Sequence, residues 1–167
     1  NSALLYQRTQ FGYIGHKEHP VLFTHKTHKQ TRNILHVWGK VITSDTLDVF
    51  VCHLPSRYGG EKESEADRFD AARTLRHLCD SLLQIRKTPQ LLIMGDFNDT
   101  PENASITQIL SAGKTFGNPE SDKLYNLFAD PHVLNNPGTH KYQGEWNQLD
   151  HIIVSGNLID KNSPMHV

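Results

Sequence analysis

The sequence predicts an α+β domain whose mixed sheet is assembled from a hairpin and a crossover, and three observations carry that prediction. Residues 33–43 and 47–54 are rich in β-branched and aromatic side chains and flank a turn signal at Ser44-Asp45, the pattern of two antiparallel strands. Residues 65–85 place apolar side chains at helical spacing over about six turns. Leu91-Leu92-Ile93-Met94 is an unbroken apolar run, which reads as a strand buried on both faces. Strand, helix and strand in that order span the length of a crossover between parallel neighbours.

Taken in order, residues 4–6 and 11–14 are short strand candidates with a polar link between them. Residues 15–32 are polar and read as a loop or edge hairpin. Within that stretch His16, His19, His25 and His28 form two H-x-x-H pairs; with no cysteine beside them they are expected to be solvated loop side chains and not a zinc site. The strand at 47–54 runs into His53, and Pro55-Ser56-Arg57-Tyr58-Gly59-Gly60 cannot continue it. Ser64 is placed to cap the helix, with Asp67 three residues on in a near capping box. The expected buried stripe is Ala66, Phe69, Ala72, Leu75, Leu78, Cys79, Leu82 and Ile85; Arg68, Arg73, Arg76 and Asp80 fall mostly off it and are assigned to solvent. Thr88-Pro89 ends the helix. After Pro101, residues 104–110 read as a short helix capped near Asn103, 111–124 as loop, and 124–128 as a short element. Asn135-Asn136-Pro137-Gly138 reads as a turn, and 139–142 and 148–155 as strands, with Trp146 assigned to packing.

The totals bound the function. The chain has 167 residues and 37% hydrophobic content, enough for a single domain with a core over 1–167. No apolar run is long enough to span a membrane as a helix. The net charge of −1 lacks the overall basic balance of a protein that grips duplex nucleic acid through many phosphates. Cys52 and Cys79 fall on a predicted strand and helix, as small buried residues do.

The chemistry-bearing stretch follows the apolar run. Gly95 stops it, and Asp96 and Asn98 come next at alternate positions, so a continuing strand would face a carboxylate and an amide to one spot. Asp-Asn turns read the same way, so spacing alone leaves both readings open. The wording Gly95-Asp96-Phe97-Asn98 before Asp99-Thr100-Pro101 closely resembles the signature of the endonuclease/exonuclease/phosphatase superfamily, the DNase I-like phosphoesterases. Two further stretches match in family order: His53-Leu54-Pro55-Ser56-Arg57 after an apolar strand, and Leu149-Asp150 opening the run Ile152-Ile153-Val154.

The resemblance implies a four-layer α/β/β/α sandwich of two mixed sheets and hydrolysis of a phosphate ester with Mg²⁺ or Mn²⁺. It implies that Asp96 orients or deprotonates the attacking water. It places Asn98 on a phosphoryl oxygen or on the nucleophile, and His53 on the phosphate or leaving group. Asp150 corresponds to the carboxylate that orients a second histidine. Asp96 and Asn98 are the implied metal ligands, and the substrate is a phosphate ester, with nucleic acid among the candidate partners. The chain departs from the family at two points. The Ser-Asp-His triplet and the principal metal-binding Glu of the family have no counterpart here, and neither His151, His166 nor Glu18 stands in those contexts. The expectation is therefore a partial domain of reduced activity, with uncovered sheet edges that favour self-association. A non-catalytic module that binds a phosphorylated ligand or a protein is the alternative.

Overall fold

In the computed structural model, residues 2–25, 30–114, 118–129 and 138–162 are described. The elements follow from the patterns above. Strands β2 (Ile34–Val41) and β3 (Thr46–His53) form the predicted antiparallel hairpin, in register from Leu35 opposite Val51 to Lys40 opposite Thr46. Helix α1 (Glu65–Ile85) carries the chain across, and β4 (Gln90–Asp96) returns parallel to β3, from Leu47 beside Gln90 to His53 beside Asp96. β1 (Phe11–His19) lines the outer edge of β2. Short strands β5 (Ala112–Gly113) and β6 (Leu124–Asn126), a separate hairpin of β7 (His140–Tyr142) and β8 (Glu145–Asn147), and β9 (Asp150–Ser155) follow. Among the described residues the main sheet has seven strands in the order β1-β2-β3-β4-β9-β6-β5.

Side-chain alternation splits this sheet into two faces. One presents Phe50, Cys52, Ile93 and Ile153 to Ala72, Leu75, Cys79 and Leu82 of α1, and this is the main core. The other carries apolar rows in register, Val49–Leu92–Val154 and Val51–Met94–Ile152. Towards β1 it is covered in part where Leu4 packs on Phe11, Leu35 and Val37, while Ile152 stays 37% exposed. The described residues thus supply one large mixed sheet and its outer helix layer, part of the four-layer arrangement; no second large sheet occurs among them. Among the described residues no helix is long and apolar enough to cross a membrane.

Several local expectations are corrected. Residues 4–6 form no strand among the described pairings, and β1 extends through His19 because β2 offers it a full-length edge. His16 and His19 therefore lie on a strand, and His28 lies outside the described residues. His25 is not solvated at random: its Nε2 lies 2.8 Å from Asp67 and its Nδ1 3.1 Å from Asp70, tying the 20–25 segment to α1. Ser64 does not cap α1 through its side chain; its hydroxyl donates to the Gly60 carbonyl and accepts from Arg68. The buried stripe of α1 is rotated, so that Arg68, Ala71, Ala72, Leu75, Cys79 and Leu82 face inward while Ala66 and Ile85 are exposed. Arg76 donates to the Leu110 carbonyl and pairs with Asp80, so it too is more than a solvated charge. Residues 105–109 form one π-type turn, β5 lies in the stretch read as loop, and the Asn135-Asn136-Pro137 turn lies outside the described residues.

The end of α1 is fastened to the sheet by Asp48, which accepts from Arg86 Nε and Nη2 at 2.9 Å and meets His36 Nε2 at 2.8 Å. Burial pushes the Asp48 carboxyl upward, but the hydrogen bonds from His36 and Arg86 outweigh it and hold it below the ordinary carboxylate range. Cys52 and Cys79 are buried and free, as expected, and burial lifts the Cys52 thiol to about 12 and Cys79 higher still, leaving both inert.

Candidate active site

The parallel crossover and the antiparallel return put three strand ends side by side. β3 ends on His53, β4 ends on Asp96, and β9 begins on Asp150; His53 is the register partner of Asp96, and Asp96 of Asp150. Residues opposite one another in a sheet project to the same side, so an imidazole and two carboxylates stand abreast at one rim. His53 Nε2 is 3.7 Å from Asp96 Oδ2, beyond hydrogen-bonding distance. Both side chains are partly exposed, and Asp150 is exposed.

Asn98 joins them through a turn and not through a continuing strand. β4 stops at Asp96, and Asn98 takes a left-handed conformation with φ of 54°, which asparagine tolerates better than most residues. Its N–H donates to Asp96 Oδ1 at 2.8 Å, closing an Asx turn, and its Nδ2 donates to the Leu54 carbonyl at 3.0 Å. The four residues singled out in the sequence, His53, Asp96, Asn98 and Asp150, thus occupy neighbouring positions along one rim, Asp150 as the register partner of Asp96.

Beneath them lies a network that local patterning did not reveal. Asp99 is buried and forms an ion pair at 2.7 Å with the equally buried Arg68 Nε, off the line of a well-aligned hydrogen bond. Its other oxygen accepts from Ser105 Oγ at 2.6 Å. Arg57, from the loop after His53, donates its Nε to the Asn98 carbonyl at 2.7 Å and its Nη2 to Asn103 at 3.2 Å. The two loops that carry His53 and Asn98 are therefore cross-braced. Placing Arg68 on a solvated face is corrected here. The signal was available, since 68, 72, 75, 79 and 82 repeat at helical spacing, but a cation at the head of that stripe reads as its polar boundary.

His151, on the opposite face of β9 from Asp150, braces the same loop from below. Its Nε2 donates to the Asp99 carbonyl at 2.8 Å, so its Nδ1 accepts from Asn126 Nδ2 at 3.1 Å, and Asn126 is held that way round because its oxygen accepts from the Phe128 N–H. The ring is neutral, and a second proton would meet another N–H. Burial holds its pKa below 6.5, partly opposed by the bond to Asp99. Below that value the unfolded chain takes up a proton that the native state refuses, so stability falls with pH. His151→Gln cannot charge. Between pH 7 and pH 5 its unfolding free energy is expected to drop less steeply than wild type, by up to about 1.4 kcal/mol per pH unit. Urea midpoints across that range are the measurement, and parallel curves would refute the assignment.

As a cation site the rim is open and sparse. Among the described residues no group of three or more His, Cys, Asp or Glu side chains stands where it could hold a metal ion. Two adjacent carboxylates with an amide nearby still suit a hard dication that takes one or two protein carboxylates and keeps most of its water. Asn98 could offer only its amide oxygen, because Nδ2 already donates to Leu54.

One large mixed sheet, a helix layer on one face and a His–Asp–Asp row at the strand ends define a DNase I-like domain, present here in part. The chain belongs to the Endonuclease/Exonuclease/phosphatase family, whose sequence model matches residues 1–167. Among solved structures it is similar to the human Nocturnin catalytic domain with bound sulfate anion, at 17% identity and a TM-score of 0.64, covering 90% of this chain and 50% of that one. It is similar to truncated Caenorhabditis elegans TDP2, at 13% identity and a TM-score of 0.64, covering 90% and 55%. It also resembles ANGEL2, a 2',3'-cyclic phosphatase in complex with adenosine-2',3'-vanadate, at 11% identity and a TM-score of 0.60, covering 91% and 58%. At these identities the likeness is one of fold, and the chain spans about half the length of these structures. No curated protein sequence matches the chain.

Proposed function

We propose that the rim is the catalytic edge of a divalent-cation-dependent phosphoester hydrolase that works by in-line attack of water. The observation that carries this reading is the register row His53–Asp96–Asp150, with Asn98 folded back into it. Asp96 has one carboxylate oxygen engaged by the Asn98 N–H, which fixes the plane of the group and leaves the other oxygen to orient a water and take its proton. The water oxygen bonds to phosphorus as the ester P–O bond breaks, and the departing oxygen takes up a proton. His53, 3.7 Å from Asp96, lies where it can meet the phosphoryl group or the leaving oxygen. Asp150 adds the second carboxylate of the row.

Asp96 and Asn98, with Asp150 beside them, are the residues that would hold Mg²⁺ or Mn²⁺. When bound, the ion neutralises charge on the phosphoryl oxygens. So few carboxylates give a weak site, and slow turnover is expected of this chain by itself. The adenosine-2',3'-vanadate bound to ANGEL2 supports a nucleotide-bearing ester as substrate. The β1 edge, which has no further strand beside it among the described residues, supports self-association through its backbone in addition.

The test is hydrolysis of bis(p-nitrophenyl) phosphate with Mg²⁺. Turnover by the native chain is expected to fall at least about a hundredfold in Asp96→Asn. Equal turnover in the two proteins would sink the catalytic role of Asp96. No turnover above background in either would favour the second reading, a phosphate-binding module without catalysis. The sparse set of cation ligands among the described residues is the observation on that side.

A further inference from the structure

Arg57 lies four residues past the strand end that carries His53, and an arginine beside a rim proposed to take phosphate reads first as a clamp on that phosphate. Its guanidinium is engaged elsewhere. Nε donates to the Asn98 carbonyl at 2.7 Å, and Nη2 donates to Asn103 Oδ1 at 3.2 Å. Nη1 lies 3.3 Å from Glu61 Oε2, and Nη2 lies 3.6 Å from Oδ1 of the buried Asp99. All three nitrogens thus face protein oxygens, and two of those oxygens belong to carboxylates that balance the charge. The side chain is only 24% exposed.

The Nε bond acts on the turn that follows Asp96. Asn98 stands in the left-handed region at a φ of 54°, and a residue with a side chain stays there only where its surroundings over-determine it. Its N–H belongs to the peptide before it and its carbonyl to the peptide after it, so a bond at each end fixes both of its backbone torsions. Asp96 Oδ1 takes the N–H at 2.8 Å, Arg57 takes the carbonyl, and the Leu54 carbonyl takes the side-chain amide at 3.0 Å. Without the Arg57 bond the peptide after Asn98 is free to turn, the N–H leaves Asp96, and the carboxylate loses the contact that sets its plane. On the far side of the turn, the Asn103 oxygen that meets Arg57 also accepts from the Thr100 N–H and hydroxyl, so the guanidinium spans the whole of it.

We propose that Arg57 is a positioning residue for Asp96: through the Asn98 carbonyl it holds the turn whose N–H sets the Asp96 carboxylate, and it does not meet the phosphate of the substrate. The proposal rests on the phosphoesterase reading and adds to it the group that aligns its base. Two substitutions separate the donor from the charge. Arg57→Gln puts an uncharged amide nitrogen where Nε stands. Arg57→Lys keeps the charge but puts a methylene at that place, with the ammonium one bond beyond. A clamp on phosphate would be kept better by lysine, and a brace on the Asn98 carbonyl is kept better by glutamine.

The experiment pairs the kinetics of bis(p-nitrophenyl) phosphate hydrolysis with Mg²⁺ and the hydrogen exchange of the Asn98 N–H, read by NMR on the metal-free chain. In Arg57→Lys kcat is expected to fall at least about tenfold, in Arg57→Gln to stay within about threefold, and KM to stay within about threefold in both. Exchange of the Asn98 N–H is expected to quicken at least about tenfold in Arg57→Lys and to stay near native in Arg57→Gln, with the amides of β3 and β4 unchanged in both. A higher kcat in Arg57→Lys than in Arg57→Gln, or a rise in KM as the main effect, would make Arg57 a phosphate clamp and overturn the proposal. An equal fall in both variants with faster exchange throughout β3 and β4 would reduce Arg57 to a stabilising contact and overturn it too. If the native chain gives no turnover but the Asn98 N–H follows the expected order, Arg57 still holds the Asp96 turn and the phosphoesterase reading falls. Turnover by the native chain, with Asn98 exchange unmoved in Arg57→Lys, would do the reverse.

Discussion

Gly95→Ala is expected to cost the domain more than about 3 kcal/mol, or to prevent folding outright. Gly95 sits between Cys52 and His151 in register and has a φ of 132°, a conformation that side-chain-bearing residues rarely adopt. A Cβ there would lie 2.0 Å from the Cys52 carbonyl oxygen and 3.0 Å from its carbon. Those atoms belong to the backbone of β3, so relief requires β3 and β4 to separate at the place where His53 and Asp96 are paired. The glycine in Gly95-Asp96-Phe97-Asn98 thus serves a steric purpose: it lets two strands close tightly enough to set the imidazole beside the carboxylate. Urea denaturation is the measurement; an alanine variant within about 1 kcal/mol of the native protein would contradict this account.

Arg68→Leu is expected to destabilise by about 3–5 kcal/mol, because it strands the buried Asp99 carboxylate. Only Ser105 at 2.6 Å and Arg57 at 3.6 Å would remain to it, and the bonds from Arg68 to Ser64 and the Glu61 carbonyl would go as well. The pairing has a clear signature. Adding Asp99→Asn to Arg68→Leu removes the stranded charge, so the double variant should be more stable than Arg68→Leu alone. A double variant whose loss equals the sum of the two single losses would show that the two groups act independently. The consequence reaches the rim, since Asp99 follows Asn98 directly and its carbonyl is the acceptor for His151.

How much was legible depended on how local the cause was. The β2–β3 hairpin, α1 and β4 were readable because the period of apolar residues is written within each segment. The extent of β1 was not, because an edge strand with polar side chains has no period to read and is ordered by its neighbour. His53, Asp96, Asn98 and Asp150 could be named from motif wording, but spacing could not choose between a continuing strand and a turn for Asp96 and Asn98. The structure shows the turn, closed by the Asn98 N–H on Asp96. The exposed Trp146 read as packing because hydrophobicity carries no information on which ribbon lies outside the core.

The sequence by itself determined the succession of β2, β3, α1 and β4, the parallel crossover from β3 to β4, and the polar residues at the ends of the buried strands, since all of these follow from short-range periodicity and from residues that cannot continue a strand. The tertiary structure alone decided that His53, Asp96 and Asp150 share one row, that Arg68 neutralises Asp99, and that His151 is locked neutral against Asn126 and the Asp99 carbonyl. Each of those pairings joins residues far apart along the chain. A buried charge or imidazole takes its meaning from the partner that replaces its water, and no local pattern names that partner.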